Sequence, residues 1–112
     1  MSESDRELLE LAAKAAEIKG VWSERGQCLV ACEGRGCSYD WWRPLEDDGD
    51  AFRLAVKLGF IVDIDVEEHY TEVEFTSNYE DKSTSEGHAF DAMAATRRAI
   101  VRAAAAIGET LP

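Results

Sequence analysis

The residues best placed to do chemistry are acids that alternate with apolar side chains. In Phe60-Ile61-Val62-Asp63-Ile64-Asp65-Val66-Glu67, a two-residue period puts Phe60, Val62, Ile64 and Val66 on one face and Asp63, Asp65 and Glu67 on the other. In Thr71-Glu72-Val73-Glu74-Phe75, Val73 and Phe75 share a side, with Glu72 and Glu74 opposite. Paired as a hairpin, the two segments bring five carboxylates to one sheet face. Like charges placed opposite each other destabilise a sheet, and no lysine interleaves to relieve them. Such a face can stand in for a row of phosphates and compete for a basic surface. The plain alternative is a solvated face that aids solubility. Clustered carboxylates also suit a hard cation, but acids at every second strand position stand too far apart for a compact shell. The Glu46-Asp47-Asp48-Gly49-Asp50 run lacks EF-hand spacing, so no metal site is expected.

Sulfur and imidazole chemistry is less well provided for. Cys28 and Cys32 lie about 13 Å apart on an extended strand, too far to share one zinc ion with His69 or His88. Cys28, and Cys32 with it, is expected to be buried as a small apolar group. Cys37, in the Gly34-Arg35-Gly36 turn region, is expected to be exposed. An odd cysteine count argues against a disulfide framework. No spacing supports a Cys37–His88 nucleophile pair, and no nucleophile elbow, phosphate loop or dinucleotide fingerprint occurs. The chain is therefore expected to be non-enzymatic and without cofactor. Trp41 and Trp42, adjacent on an extended segment, should point opposite ways. An exposed one would make an interface anchor beside Tyr39. The plain alternative is that both pack, since Pro44 fixes the entry to the helix behind them. Arg97, Arg98 and Arg102 form a basic ridge, to be left solvated, paired with acids elsewhere in the fold or set against an acidic partner.

These groups must be positioned by a small scaffold. The 112 residues fit one domain, 1–112, and carry a net charge of −11. Residues 46–86 hold 13 acids and 3 bases, a balance of −10, so one segment supplies nearly all of the excess. That charge disfavours direct nucleic-acid binding and favours basic partners. No apolar run approaches the ~20 residues of a membrane span. The first residues lack the pattern of a secretory signal, so a cytoplasmic setting is expected.

Capping and periodicity predict the elements. A helix of about residues 5–19 opens on the Ser4/Glu7 capping-box spacing and stops at Gly20. A strand covers Gln27–Glu33, with Cys28, Val30 and Cys32 on one side. A helix covers 50–58, with Phe52, Ala55 and Val56 inward and Gly59 as its stop. The hairpin Phe60–Val66/Thr71–Thr76 turns at Glu67-Glu68-His69-Tyr70, and 77–88 reads as a polar loop. A last helix covers 89–107, with Phe90, Met93, Ile100, Ala104 and Ile107 packing, and Gly108 ends it. The fold class is α+β, in the order α-β-α-β-β-α, a small mixed or antiparallel sheet with helices on one face. A three-layer sandwich would cover the acidic face with a helix, and burying that many acids would be prohibitive without partners, so two layers with that face exposed are expected.

The layout resembles the phage ABA-sandwich family of small phage and prophage proteins. The resemblance rests on the opening helix with its Leu-Leu pair and on Trp42-Arg43-Pro44 before an acidic segment. It also rests on Asp50-Ala51-Phe52-Arg53-Leu54-Ala55-Val56-Lys57-Leu58-Gly59-Phe60 and on the closing Ala95–Ala104 stretch. The chain departs from that pattern in the cysteine-bearing residues 26–38 and the acidic hairpin. The family has no catalytic residues to carry over. With the charge, the resemblance implies a phage inhibitor of a host nucleic-acid-handling defence complex, of the anti-CRISPR kind. Asp63, Asp65, Glu67, Glu72 and Glu74, helped by Asp47 and Asp48, would meet the basic surface of a host protein or nucleoprotein complex, and Trp41 or Trp42 would anchor the contact. The competing expectation is a phage structural or assembly module acting as a homodimer through a free sheet edge.

Overall fold

The computed structural model describes residues 4–31 and 40–112. Its elements are α1 (Asp5–Ala15), β1 (Gly20–Ser23), β2 (Cys28–Ala31), β3 (Asp40–Trp42), α2 (Asp48–Leu58), β4 (Ile61–Asp65), β5 (Tyr70–Ser77), β6 (Glu80–Gly87) and α3 (Ala92–Glu109). The class is α+β with helices against the sheets, as expected. The order differs by three added strands, β1, β3 and β6. The strands form two antiparallel sheets, β1-β2-β3 and β4-β5-β6, where one sheet was expected.

Local chemistry explains most boundaries. Ser4 caps α1 by accepting from the Glu7 amide at 3.2 Å. The helix ends four residues before its expected limit. Glu17 turns left-handed (φ 58°), and the amides of Glu17 and Ile18 close a Schellman motif on Lys14 and Ala13. Gly20 therefore begins β1 instead of stopping a helix. Asp47 caps α2 through the Asp50 amide at 2.8 Å, and Gly59 ends it at φ 70°.

The segment expected to be a polar loop is strand β6, paired along its whole length with β5. Asn78 and Tyr79, both at positive φ, make the two-residue turn between Ser77 and Glu80. Because β6 has almost no apolar residue, its strand character comes from the ladder and from α3. The Thr84 hydroxyl donates to the Ala99 carbonyl at 2.8 Å, and Arg102 bonds both the Ser85 carbonyl (3.0 Å) and Glu86 (3.1 Å).

α3 lies at the centre. It packs on β5 and β6 on one side, on α1 on another and on α2 on a third. α1 and α3 pack on each other, and small residues of both, Ala12, Ala13, Ala103, Ala104 and Ala105, are buried in the core they share. Gly108 lies at this contact within α3 and does not end the helix. A Cβ there would collide with the Leu11 backbone. Asp91 caps α3 through the Ala94 amide at 3.0 Å, so Phe90 falls outside the helix and is fully exposed. Ile100 and Ala104 are buried and Ile107 half-buried as expected, whereas Met93 faces outward. In α2 the buried stripe is Ala51, Leu54 and Ala55. Phe52 and Val56, expected inward, lie about 100° further round the helix and are exposed. Cys32, Cys37, Tyr39 and the Gly34–Gly36 turn lie outside the described residues.

Candidate functional site

β5 is the central strand of its sheet, and its pleat sorts its residues between two environments. Thr71, Val73, Phe75 and Ser77 are buried, and Tyr70, Glu72, Glu74 and Thr76 face away from α3. Besides Val73 and Phe75, the buried side carries Ser77 at its end and one hydrogen-bonded network around Thr71. There the Thr71 hydroxyl bonds His88 Nε2 and the Thr96 hydroxyl, each at 2.8 Å. Phe60 and Phe75 pack with ring centroids 5.9 Å apart.

On the other side, the register places Asp63 directly opposite Glu72, Ile61 opposite Glu74, and Asp65 opposite Tyr70. β6 extends these rows with Ser85, Ser83 and Gly87, and sets Asp81 opposite Thr76. Four of the five expected acids thus share one sheet face. No lysine or arginine stands among the paired residues of that face, since Lys82, opposite buried Phe75, falls on the other side. Glu67 departs from the expectation. β4 ends at Asp65, and Glu67 sits in the following turn, which Asp65 closes by accepting the Glu68 amide at 2.9 Å. Tyr70 registers the field of the face. Its phenol is held above the ordinary value of 10.0, chiefly by Asp65, then by partial burial, Asp63, Glu72 and Glu68.

On the opposite, helix side of β4 runs an apolar groove of about 580 Å³ between α2, β4 and the first turns of α3. Phe52 (69% exposed), Val56 (63%), Ile64 (51%) and Met93 (57%) line it while remaining open to solvent. Concave apolar patches are a common form of binding surface in proteins. Among the described residues β4 is the sheet's edge and pairs with β5 alone, so the groove lies along its other, unpaired side. Sequence reasoning assigned Phe52, Val56 and Met93 to the core. The missed signal is that α2 carries two apolar stripes, one more than burial against α3 needs.

The other expected partner-binding residues lie elsewhere. Asp47 caps α2, and Asp48 pairs with Arg97 at 2.6 Å, so both hold the start of that helix in place. Trp42 is buried, and Trp41 is exposed with the Arg43 guanidinium over its ring at 5.1 Å. Both belong to β3, in the other sheet, and do not join the acidic face. The basic ridge is engaged: Arg97 with Asp48, Arg98 with Asp5, and Arg102 with Glu86.

Cys28 is fully buried, as expected, and burial pushes its thiol up. It lines a second cavity of about 510 Å³ with His88, Arg43 and Arg98. His69 lies in the turn after β4 and is exposed. Among the described residues no three His, Cys, Asp or Glu side chains converge as metal ligands, and no helix is long and apolar enough to cross a membrane. Comparison with protein-family models, with curated proteins and with solved structures found no match to this chain.

Proposed function

We propose that this chain is a non-catalytic binding protein whose acidic sheet face docks on a basic protein surface and competes there with nucleic acid. The observation that carries the reading is the open β4-β5-β6 face, where Asp63, Asp65, Glu72 and Glu74 stand together without an interleaved base. Folding tolerates a like-charge pair at Asp63–Glu72, a local cost that a cationic partner would turn into a gain. Association driven by such a face is fast and weakens as salt shortens the screening length from about 10 Å at 0.1 M to about 3 Å at 1 M. The resemblance to phage sandwich proteins gives the reading its setting, an anti-CRISPR-like inhibitor of a host defence complex in the bacterial cytoplasm.

The test is a pull-down from bacterial lysate beside the variant Asp63→Asn/Asp65→Asn/Glu72→Gln/Glu74→Gln. The expected result is capture of a nucleic-acid-handling complex that is released by salt, displaced by duplex DNA and missed by the variant. Capture of the same proteins by both chains, or capture indifferent to DNA, overturns the reading.

A further inference from the structure

The β4-β5-β6 sheet is narrower than the helical layer beneath it. Neighbouring strands lie about 4.8 Å apart, so three of them span a width of about 14 Å. Two helices side by side, each about 10 Å across, span about 20 Å. α3 packs on β5 and β6, whereas α2 packs on α3 beyond the β4 edge. Two exposed apolar residues of α2, Phe52 and Val56, therefore face the groove beside β4 with no strand of the described residues above them.

We propose that the groove is a vacant strand position, filled by an extended segment of a partner protein that pairs with β4 and alternates basic with apolar residues. The alternation follows from β4 itself. Val62 and Ile64 face the groove and Asp63 faces the acidic side, with Asp65 next in the same row. A strand added at this edge continues the pleat. Every second side chain then enters the apolar groove against Phe52, Val56 and Met93, and the ones between lie beside Asp63 and Asp65. Those positions select lysine or arginine. β4 is five residues long, which sets the length of the paired core.

A second copy of this chain does not meet these terms. Antiparallel β4–β4 pairing centred on Ile64 would set Asp63 of each copy opposite Asp65 of the other, between chains that each carry −11. The proposal rests on the reading of the acidic face as a docking surface and adds the conformation and residue pattern of what docks.

The experiment uses three labelled octapeptides: alternating lysine and valine, the same residues as a block of four lysines then four valines, and alternating glutamate and valine. Affinity is read by fluorescence anisotropy, and the footprint by NMR of backbone amides and methyl groups. The expected result is that the alternating lysine peptide binds, and shifts the β4 amides and the Val56 and Met93 methyls. The block peptide should bind at least about tenfold more weakly, and the glutamate peptide not at all. Phe52→Ser/Val56→Ser should lower the alternating peptide to the level of the block peptide, and Asp63→Asn/Asp65→Asn should weaken it and flatten its salt dependence.

Equal binding of the two lysine peptides, a footprint away from β4, or indifference to Phe52→Ser/Val56→Ser overturns the proposal. Equal binding that is lost in the four-acid variant does so while leaving the acidic-face reading intact. Sedimentation showing a tight dimer whose interface maps to β4 assigns the groove to a second copy and also overturns it.

Discussion

The two faces of the β4-β5-β6 sheet are made by the same strands and meet opposite demands. Toward α3, β5 presents Thr71, Val73, Phe75 and Ser77, all buried, and the Thr71 hydroxyl is satisfied by His88 and Thr96. Away from α3, the same strand presents Tyr70, Glu72, Glu74 and Thr76, and its neighbour adds Asp63 and Asp65. The first face holds the fold together by removing apolar surface from water. The second contributes nothing comparable and carries a like-charge cost. A sheet that spends one face on packing is free to use the other for recognition, since side-chain period two keeps the two sets independent. The groove is where this division fails: there the apolar side of β4 runs past the end of the core and becomes surface.

Three measurements would break or sharpen that contrast. Phe75→Ala should cost about 3–5 kcal/mol in denaturant unfolding, because a buried ring that packs on Phe60 leaves a cavity. Glu74→Ala, one residue away on the open face, should change stability by less than about 0.5 kcal/mol. Similar losses at the two positions would mean that the faces are not energetically distinct.

Neutralising Asp63, Asp65, Glu72 and Glu74 together should raise stability by up to about 1 kcal/mol at low ionic strength, as the opposed Asp63–Glu72 pair is relieved. The gain should shrink in 1 M salt. A loss instead would show that these carboxylates make folding contacts and are not held for a partner.

The smallest effect is on Tyr70. Its phenol is raised in the folded chain, so the stability it contributes is complete below the ordinary value of 10.0 and is lost as pH rises through the folded value. Asp65 is the largest cause, and Asp65→Asn should therefore make Tyr70 ionise at lower pH. Phenolate absorbance of a Tyr39→Phe/Tyr79→Phe background, in which Tyr70 is the only tyrosine, reads this directly. An unmoved titration would remove Asp65 as the source of the field.

Periodicity and capping chemistry are local, and what depends on them alone was legible in the sequence. Ser4 and Gly59 bound their helices as their residue types dictate, and the alternation in Phe60–Glu67 and Thr71–Phe75 sorted acid from apolar along the strands. The α+β class and the openness of the acidic face followed from that pattern and from the cost of burying charge.

Tertiary pairing decided the rest. β6 is a strand because β5 and α3 supply its hydrogen-bond partners, and no apolar pattern in Glu80–Gly87 could announce it. Glu17, not Gly20, ends the first helix through a left-handed turn that its residue type does not advertise. The exposure of Phe52, Val56 and Met93 was settled by where the β4-β5-β6 sheet ends. An apolar side chain is core or interface according to what lies above it, and that is set by strands distant in the chain.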